Sequence, residues 1–205
     1  MEPGSTGQLP GQQLLRPFFA RDALELAPAL LNKLIVVGER AGRIVEVEAY
    51  RGTDDPASHA FRGPTPRTEV MFGPPGHLYV YFSYGMHWCS NVVAGEDGTA
   101  SAVLIRAVQP VAGVELMRAV RPAARREYDL TNGPAKVCQA LGIDGTFDGL
   151  DLTEPVAEVV LCDDGVEPPA RPTTGPRVGI SAAIDHPWRF SVPGDPYRSR
   201  PIPRP

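Results

Sequence analysis

Along much of the chain, hydrophobic and polar positions alternate with a period of two, and short helix-like stretches interrupt that pattern. LIVVG followed by GRIVEVEAYRG, dense in Val and Ile, predicts two strands joined by a turn at Glu39 to Gly42. HLYVYFSYGMHWCSNVV alternates and breaks at Ser83-Tyr84-Gly85, which predicts a β-hairpin with Tyr84 at its tip. SAVLIRAV is a further strand, and LDLTEPVAEVVLCDD and GPRVGIS supply shorter ones. Helical spacing places Leu26, Leu30 and Leu31 on one side of LELAPALLNK, where Pro28 is tolerable only within the first turn. GVELMRAV predicts a second short helix between Pro110 and Pro122. The best-marked helix is TNGPAKVCQALG: Thr131 or Asn132 can cap it, Pro134 suits a first helical position, and Gly142 suits a left-handed stop. Residues 51–77 show little periodicity, and so long a loop in a compact domain is more often functional than idle.

With these elements the chain predicts one domain. Residues 1–14, polar and rich in Gly and Pro, are expected to be disordered, the folded domain to span 15–197, and 198–205 to form a proline- and arginine-rich tail. With 23 Pro and 21 Gly in 205 residues, short elements and many turns are expected, and long helices are not.

In RIVEVEAY the strand period sends Ile44, Glu46, Glu48 and Tyr50 to one face and Val45, Val47 and Ala49 to the other. Two carboxylates sharing a face is ordinary if that face meets water. Glu48, however, stands beside Tyr50 where the strand enters the long loop, and a carboxylate beside an aromatic there suits a general base. Arg106 interrupts the apolar SAVLIRAV on the face of Leu104 and Val108, and its charge needs a partner, for which Glu48 or Glu46 is the natural candidate. The alternative is an arginine that snorkels from an edge strand. Lys136 sits in the first turn of the TNGPAK helix, where the dipole favours an anion, so a phosphate there competes with the plainer reading of a surface lysine. In the hairpin, Leu78, Val80 and Phe82 are expected to face the core and Tyr79, Tyr81 and Ser83 the opposite side. Tyr84 at the tip has nothing of its own to pack on, and such a wedge suits insertion between bases.

A net charge of −4 argues mildly against a nucleic-acid partner, although clustering can override the total. Lys33 and Lys136 are the only lysines, and the remaining positive charge is arginine, suited to bidentate phosphate contacts. Three cysteines without C-x-x-C spacing suggest neither a disulfide framework nor zinc, and fit a reducing, cytoplasmic setting. The four histidines lack metal-ligand spacing, and no metal or cofactor is expected. No apolar run approaches the ~20 residues of a membrane span. The nucleophile elbow, the phosphate-binding loop and the dinucleotide fingerprint are all missing, which leaves a water nucleophile driven by a carboxylate.

RIVEVEAY, then ASHAFRG with TPR, MF-x-x-PG-x-LYVY-x-x-YGM-x-x-C-x-N, VLIRAVQP and NGPAK-x-CQALGI together resemble the alkyladenine (3-methyladenine) DNA glycosylase family, bacterial-type members included. The likeness runs from about Phe18 to Pro196 in order and with matching spacing. It implies a single α/β domain of the α+β type, built around a curved, mostly antiparallel sheet with a protruding hairpin that enters the DNA minor groove. It also implies a monomeric, cofactor-free enzyme that flips damaged purines such as 3-methyladenine, 7-methylguanine, hypoxanthine and ethenoadenine from duplex DNA and hydrolyses the N-glycosidic bond. By position, the resemblance makes Glu48 the general base and Arg106 the residue that positions it and the water. Tyr50, His59 and Tyr81 would enclose the base, and Asn91 would crowd the 2-amino group of guanine. Tyr84 would fill the gap in the stack, and Arg67 and Lys136 would meet phosphates. His87 stands on the DNA-facing hairpin where the family commonly has tyrosine. The loop from His59 to Arg67 is about one residue shorter than in vertebrate-type members. A lesion-binding protein without catalysis and a hydrolase of free nucleosides are the competing expectations.

Overall fold

The computed structural model describes residues 10–83 and 85–200; Tyr84, like residues 1–9 and 201–205, lies outside them. The chain runs β1 (Gln12–Gln13), α1 (Arg16–Phe19), α2 (Ala23–Leu30), β2 (Leu34–Val37) and β3 (Arg40–Arg51). A long segment with 3-10 turns at Gly52–Asp54, His59–Arg62 and Glu69–Phe72 leads to β4 (Leu78–Ser83), β5 (His87–Ala94) and β6 (Ser101–Ala112). Then come α3 (Val114–Val120), α4 (Pro134–Leu141), β7 (Val159–Asp163), β8 (Thr173–Gly175) and β9 (Arg189–Ser191). The strands form one sheet in the order β1-β7-β2-β3-β6-β5-β4, and β9 joins the second half of β3 and pairs with β8. Every strand pairing is antiparallel. The result is a single α+β domain: a curled antiparallel sheet with a few short helices.

Alternation along the inner strands divides the sheet into two faces. Leu78 and Val80, Val92 and Ala94, and Val103 and Ile105 join Val47 and Ala49 in the main core, with Leu26 and Leu30 of α2 and Val137 and Leu141 of α4. The opposite face carries Tyr79, Val93 and Ala102, covered by Ala60 and Met71 from the segment after β3. That segment therefore roofs the second face of the sheet.

Irregularities of β3 decide which side chains reach that second face. Ile44 pairs with Val108, Glu46 with Ala107 and Val47 with Ile105, so Val45 and then Arg106 are extra residues in the ladder. A strict period of two would have grouped Ile44 with Glu46 and Glu48, and Val108 with Arg106. The bulges instead turn Ile44 and Val108 into the main core and leave Glu46, Glu48 and Arg106 on the other side, all buried.

Other expectations are corrected in detail. The β2–β3 turn is tighter than expected: β3 already begins at Arg40, and Gly38 supplies the positive φ of 55°. Pro28 lies beyond the first turn of α2, where it forgoes one helical hydrogen bond, while Asp22 caps the start by accepting from the Leu24 N–H at 2.9 Å. Gly133, not Thr131 or Asn132, caps α4, because the Thr131 hydroxyl donates to the Val108 carbonyl at 2.6 Å. Phe82 does not enter the core; it is 47% exposed and packs on Trp88 across the hairpin, with ring centroids 4.7 Å apart. GPRVGIS is loop beyond Gly175, and Arg189–Ser191 is a strand that the pattern did not indicate. Among the described residues the first regular element is at Gln12, inside the segment expected to be disordered, because Gln12 and Gln13 pair with Asp163 and Cys162.

Gly52 ends β3 with φ +61°, and a Cβ built on it would stand 2.2 Å from the Thr99 carbonyl oxygen. Gly52→Ala is expected to destabilise the fold by about 2 kcal/mol or more, through the left-handed backbone and the clash together, read as a lower denaturation midpoint.

Candidate active site

The second face of the sheet and its roof enclose a cavity of about 480 Å³. Tyr50 (β3), Tyr81 (β4), Asn91 (β5) and Arg106 (β6) line its sheet side, with His59 and Arg67 from the roofing segment and Val178 from the loop after β8. The volume falls within the ~300–1,000 Å³ usual for small-molecule sites.

Glu48 is fully buried behind these lining residues and hydrogen-bonds three of them. Its Oε2 accepts from the Tyr50 hydroxyl at 2.9 Å and from Arg106 Nη1 at 3.2 Å, and its Oε1 accepts from the Val178 N–H at 2.7 Å. Burial pushes the Glu48 pKa above the ordinary carboxylate value, although the Arg106 charge, the Val178 N–H and the Tyr50 hydroxyl pull it the other way. Burial and the neighbouring carboxylate likewise push the Tyr50 hydroxyl well up, so Tyr50 remains a donor.

Glu46, also fully buried, has its own partners. Arg189 Nη1 donates to its Oε1 at 2.9 Å and the Ser199 N–H to its Oε2 at 2.6 Å, whereas Arg106 Nε is 3.8 Å from Oε1. A third buried carboxylate, Asp55, is gripped in a fork by Arg177, which donates through both Nη atoms, the Nη2–Oδ1 contact being 2.8 Å. Burial alone would raise the Asp55 pKa, but the Arg177 hydrogen bonds and the N–H groups of Ala57 and Arg51 outweigh it and hold the group low. Arg177 also donates to the Ala49 carbonyl at 2.9 Å and lies over the Tyr50 and Trp188 rings, 4.6 and 4.9 Å from their centroids. The site thus contains three buried carboxylates matched by three buried guanidiniums.

Aromatic groups form the other wall. The His59 ring meets Tyr81 edge-on at 4.5 Å between centroids, and its Nδ1 is 3.1 Å from the Tyr79 hydroxyl. Burial, then the nearby Arg67 charge, lowers the His59 pKa and favours the neutral imidazole. The Arg67 guanidinium lies 5.3 Å from the Tyr81 ring centroid at the exposed side of the cavity. Asn91 is buried and donates from Nδ2 to the Tyr79 carbonyl at 3.1 Å.

The structure therefore brings Glu48, Arg106, Tyr50, His59, Tyr81, Asn91 and Arg67 to one place. Lys136 is not among the cavity residues; its Nζ donates to Asn132 Oδ1 at 2.6 Å beside the α4 start, while Pro134 does reach the cavity. His87 is exposed at the start of β5, opposite Ser83, and Tyr84 lies outside the described residues. Asp55, Arg177, Val178, Arg189 and Ser199 escaped the sequence reading. The signal that could have found the arginines was present: two buried carboxylates on one strand face require more than one cation. Among the described residues no group of three or more His, Cys, Asp or Glu side chains is placed to hold a metal ion, and no helix is long and apolar enough to cross a membrane.

Removing one partner of a buried ion pair strands the other charge, so Asp55→Asn is expected to lower unfolding free energy by about 3 kcal/mol. Glu115→Gln, which breaks an exposed pair with Arg118, should change it by less than about 0.5 kcal/mol. Urea denaturation of the two variants makes the comparison.

Comparison with known proteins identifies the family. The sequence profile of the methylpurine-DNA glycosylase (MPG) family matches residues 17–196. A protein of Burkholderia lata named "Putative 3-methyladenine DNA glycosylase" is 56% identical over 196 residues, 95% of each chain. Proteins of the same name from Frankia casuarinae and Rhodopseudomonas palustris are 48% and 47% identical, over 91% and 99% of this chain and 92% and 97% of theirs. A match over nearly the whole domain, with relatives at this identity, establishes that the chain belongs to the methylpurine-DNA glycosylase family and is a DNA glycosylase.

Proposed function

We propose that the protein is a monofunctional DNA-repair glycosylase that rotates an alkylated or deaminated purine out of duplex DNA into the 480 Å³ cavity and hydrolyses its N-glycosidic bond with water activated by Glu48. The observation that carries this reading is the buried Glu48 carboxylate, held directly behind the cavity lining by Arg106, Tyr50 and the Val178 N–H, with Oε1 accepting only one hydrogen bond among the described residues. Oε1 then retains a lone pair for a water. The carboxylate takes a proton from that water, the water oxygen bonds to C1′, and the C1′–N bond breaks with its electron pair leaving on the purine. An abasic site and the free base result. The purine leaves readily when it is already cationic or becomes protonated, which suits 3-methyladenine, 7-methylguanine, hypoxanthine and ethenoadenine.

Around that step, Tyr50 stacks on one face of the base and His59 with Tyr81 enclose it from the other side. A neutral His59 adds no charge against a cationic purine, while the π faces attract one. Asn91, fixed by its bond to the Tyr79 carbonyl, crowds the 2-amino group of normal guanine. Arg67 at the cavity mouth and Lys136 beside α4 meet phosphates, His87 packs in the minor groove, and Tyr84 fills the gap in the stack. Neither lysine lines the cavity, and Lys33 is paired with Asp163 at 2.7 Å, so hydrolysis is favoured over a lyase reaction, which needs an amine. We assign the protein to the cytoplasm, as a monomer that requires no cofactor.

Glu48→Gln is expected to slow single-turnover release of hypoxanthine from duplex DNA by at least about 100-fold while binding the same duplex within about threefold of wild type. Full release by the variant would remove Glu48 from the chemistry, and binding without release by the wild type would leave a lesion-marking protein.

A further inference from the structure

Among the described residues beyond β9 there is no regular structure, yet residues 197–200 return to the charges buried on β3 and β6. Tyr197 anchors the segment: its hydroxyl donates to Glu127 Oε1 at 2.6 Å and its N–H to Asp195 Oδ1 at 2.8 Å. Ser199 then meets both sides of the site. Its N–H donates to Glu46 Oε2 at 2.6 Å, and its Oγ accepts from Arg106 Nη2 at 3.1 Å. Each is the one hydrogen bond that its partner atom makes among the described residues. The Arg200 carbonyl completes the strap by accepting from Arg189 Nη1 at 3.3 Å.

Arg106 is poorly determined without this strap. Its Nη1 contact to Glu48 is long at 3.2 Å, and its buried Nε makes no hydrogen bond. Glu46 waits 3.8 Å from Nε as a competing anion. A planar guanidinium fixed at both Nη1 and Nη2 keeps Nη1 on Glu48, whereas one fixed at Nη1 alone can pivot toward Glu46. The Ser199 N–H opposes that pivot a second time, because it occupies Glu46 and partly satisfies its charge.

We propose that Ser199 is a positioning residue for base excision, acting through a C-terminal strap that holds Arg106 on Glu48 and keeps Glu46 from drawing it away. The proposal rests on the reading of Glu48 as the general base. Ser199 itself touches neither the cavity nor, on this account, the substrate.

The test uses single-turnover release of hypoxanthine from duplex DNA, followed as a function of pH, for the wild type, Ser199→Ala, Ser199→Thr and a chain ending at Arg198. The base must be ionised, and the Arg106 charge favours its ionised form. An Arg106 that swings off raises the pKa of Glu48, so the acid limb of the profile moves to higher pH. The groups that face Glu48 are Tyr50 and Glu46 on its own strand, Arg106 on β6, Tyr81 on β4, Cys89 on β5 and the Val178 N–H. None except Glu46 and Arg106 hydrogen-bonds Ser199.

Ser199→Ala is expected to slow release about fivefold and to shift the acid limb upward without changing DNA affinity, as follows from losing one charge-assisted hydrogen bond. Ser199→Thr, which keeps the hydroxyl, should restore both rate and limb. The shortened chain should exceed Ser199→Ala in both effects, since it also frees Glu46 Oε2 and leaves Arg189 as the hydrogen-bond partner of that carboxylate. A rate and limb unchanged in Ser199→Ala and in the shortened chain, or a loss confined to melting temperature, would overturn the proposal, as would a Ser199→Thr variant impaired like Ser199→Ala. A wild type that releases no base would instead refute the catalytic reading of the cavity, and the strap proposal with it.

Discussion

Two carboxylates, Glu46 and Glu48, lie fully buried on β3, one of the two longest strands of the sheet, and much of the second face is built around that constraint. An isolated ion there would be strongly disfavoured, so each acid must be met by donors from other elements. Arg106 arrives from the neighbouring strand, Arg189 from a short strand near the C-terminus, and Val178 and Ser199 offer backbone N–H groups from loops. The Asp55–Arg177 pair lies alongside and ties the roofing segment to the same loops. Folding must therefore bring distant parts of the sequence to one strand, and their arrival shapes the cavity.

On the proposed reading of Glu48 as the general base, the same arrangement would set the chemistry. An exposed carboxylate would be a weak base at neutral pH, and a buried one without partners would hold its proton too tightly. Burial raises the Glu48 pKa, while Arg106, Val178 and Tyr50 restrain the rise. All three partners also line the cavity, so the groups that tune the acid are the groups a bound base would touch. Tyr50 links the two roles most directly, because its ring forms the wall and its hydroxyl bonds the carboxylate.

The sequence conveyed local periodicity well. The alternation in β3, β4, β5 and β6 and the Pro134 and Gly142 signals of α4 gave those elements and the shared face of Glu46, Glu48 and Tyr50. One extra residue in each strand defeated the rest of that pattern: the bulges at Val45 and Arg106 turned Ile44 and Val108 into the core, and no propensity rule marks where a ladder will skip. Phe82 misled in another way, since its alternation is correct but the hairpin outruns the core by the time it reaches that position. Asp55, Arg177, Arg189 and Ser199 sit in loops or in a three-residue strand, where local pattern says nothing of them; the two acids on one strand face called for further cations, but only the tertiary fold fixes which residues answer. The motifs that resembled a glycosylase family were legible in order and spacing, and the family comparison agrees with them.

If Glu48 is the general base, one buried carboxylate should both titrate high and limit the chemistry. Difference infrared titration of the wild type against Glu48→Gln isolates that carboxyl in the free protein, and the acid limb of kcat/KM for hypoxanthine excision reports the group the reaction needs. The expected result is a carboxyl that ionises above the ordinary carboxylate value, at the same pH as the kinetic limb. A Glu48 carboxyl that ionises in the ordinary range, or a limb that falls elsewhere, would contradict it.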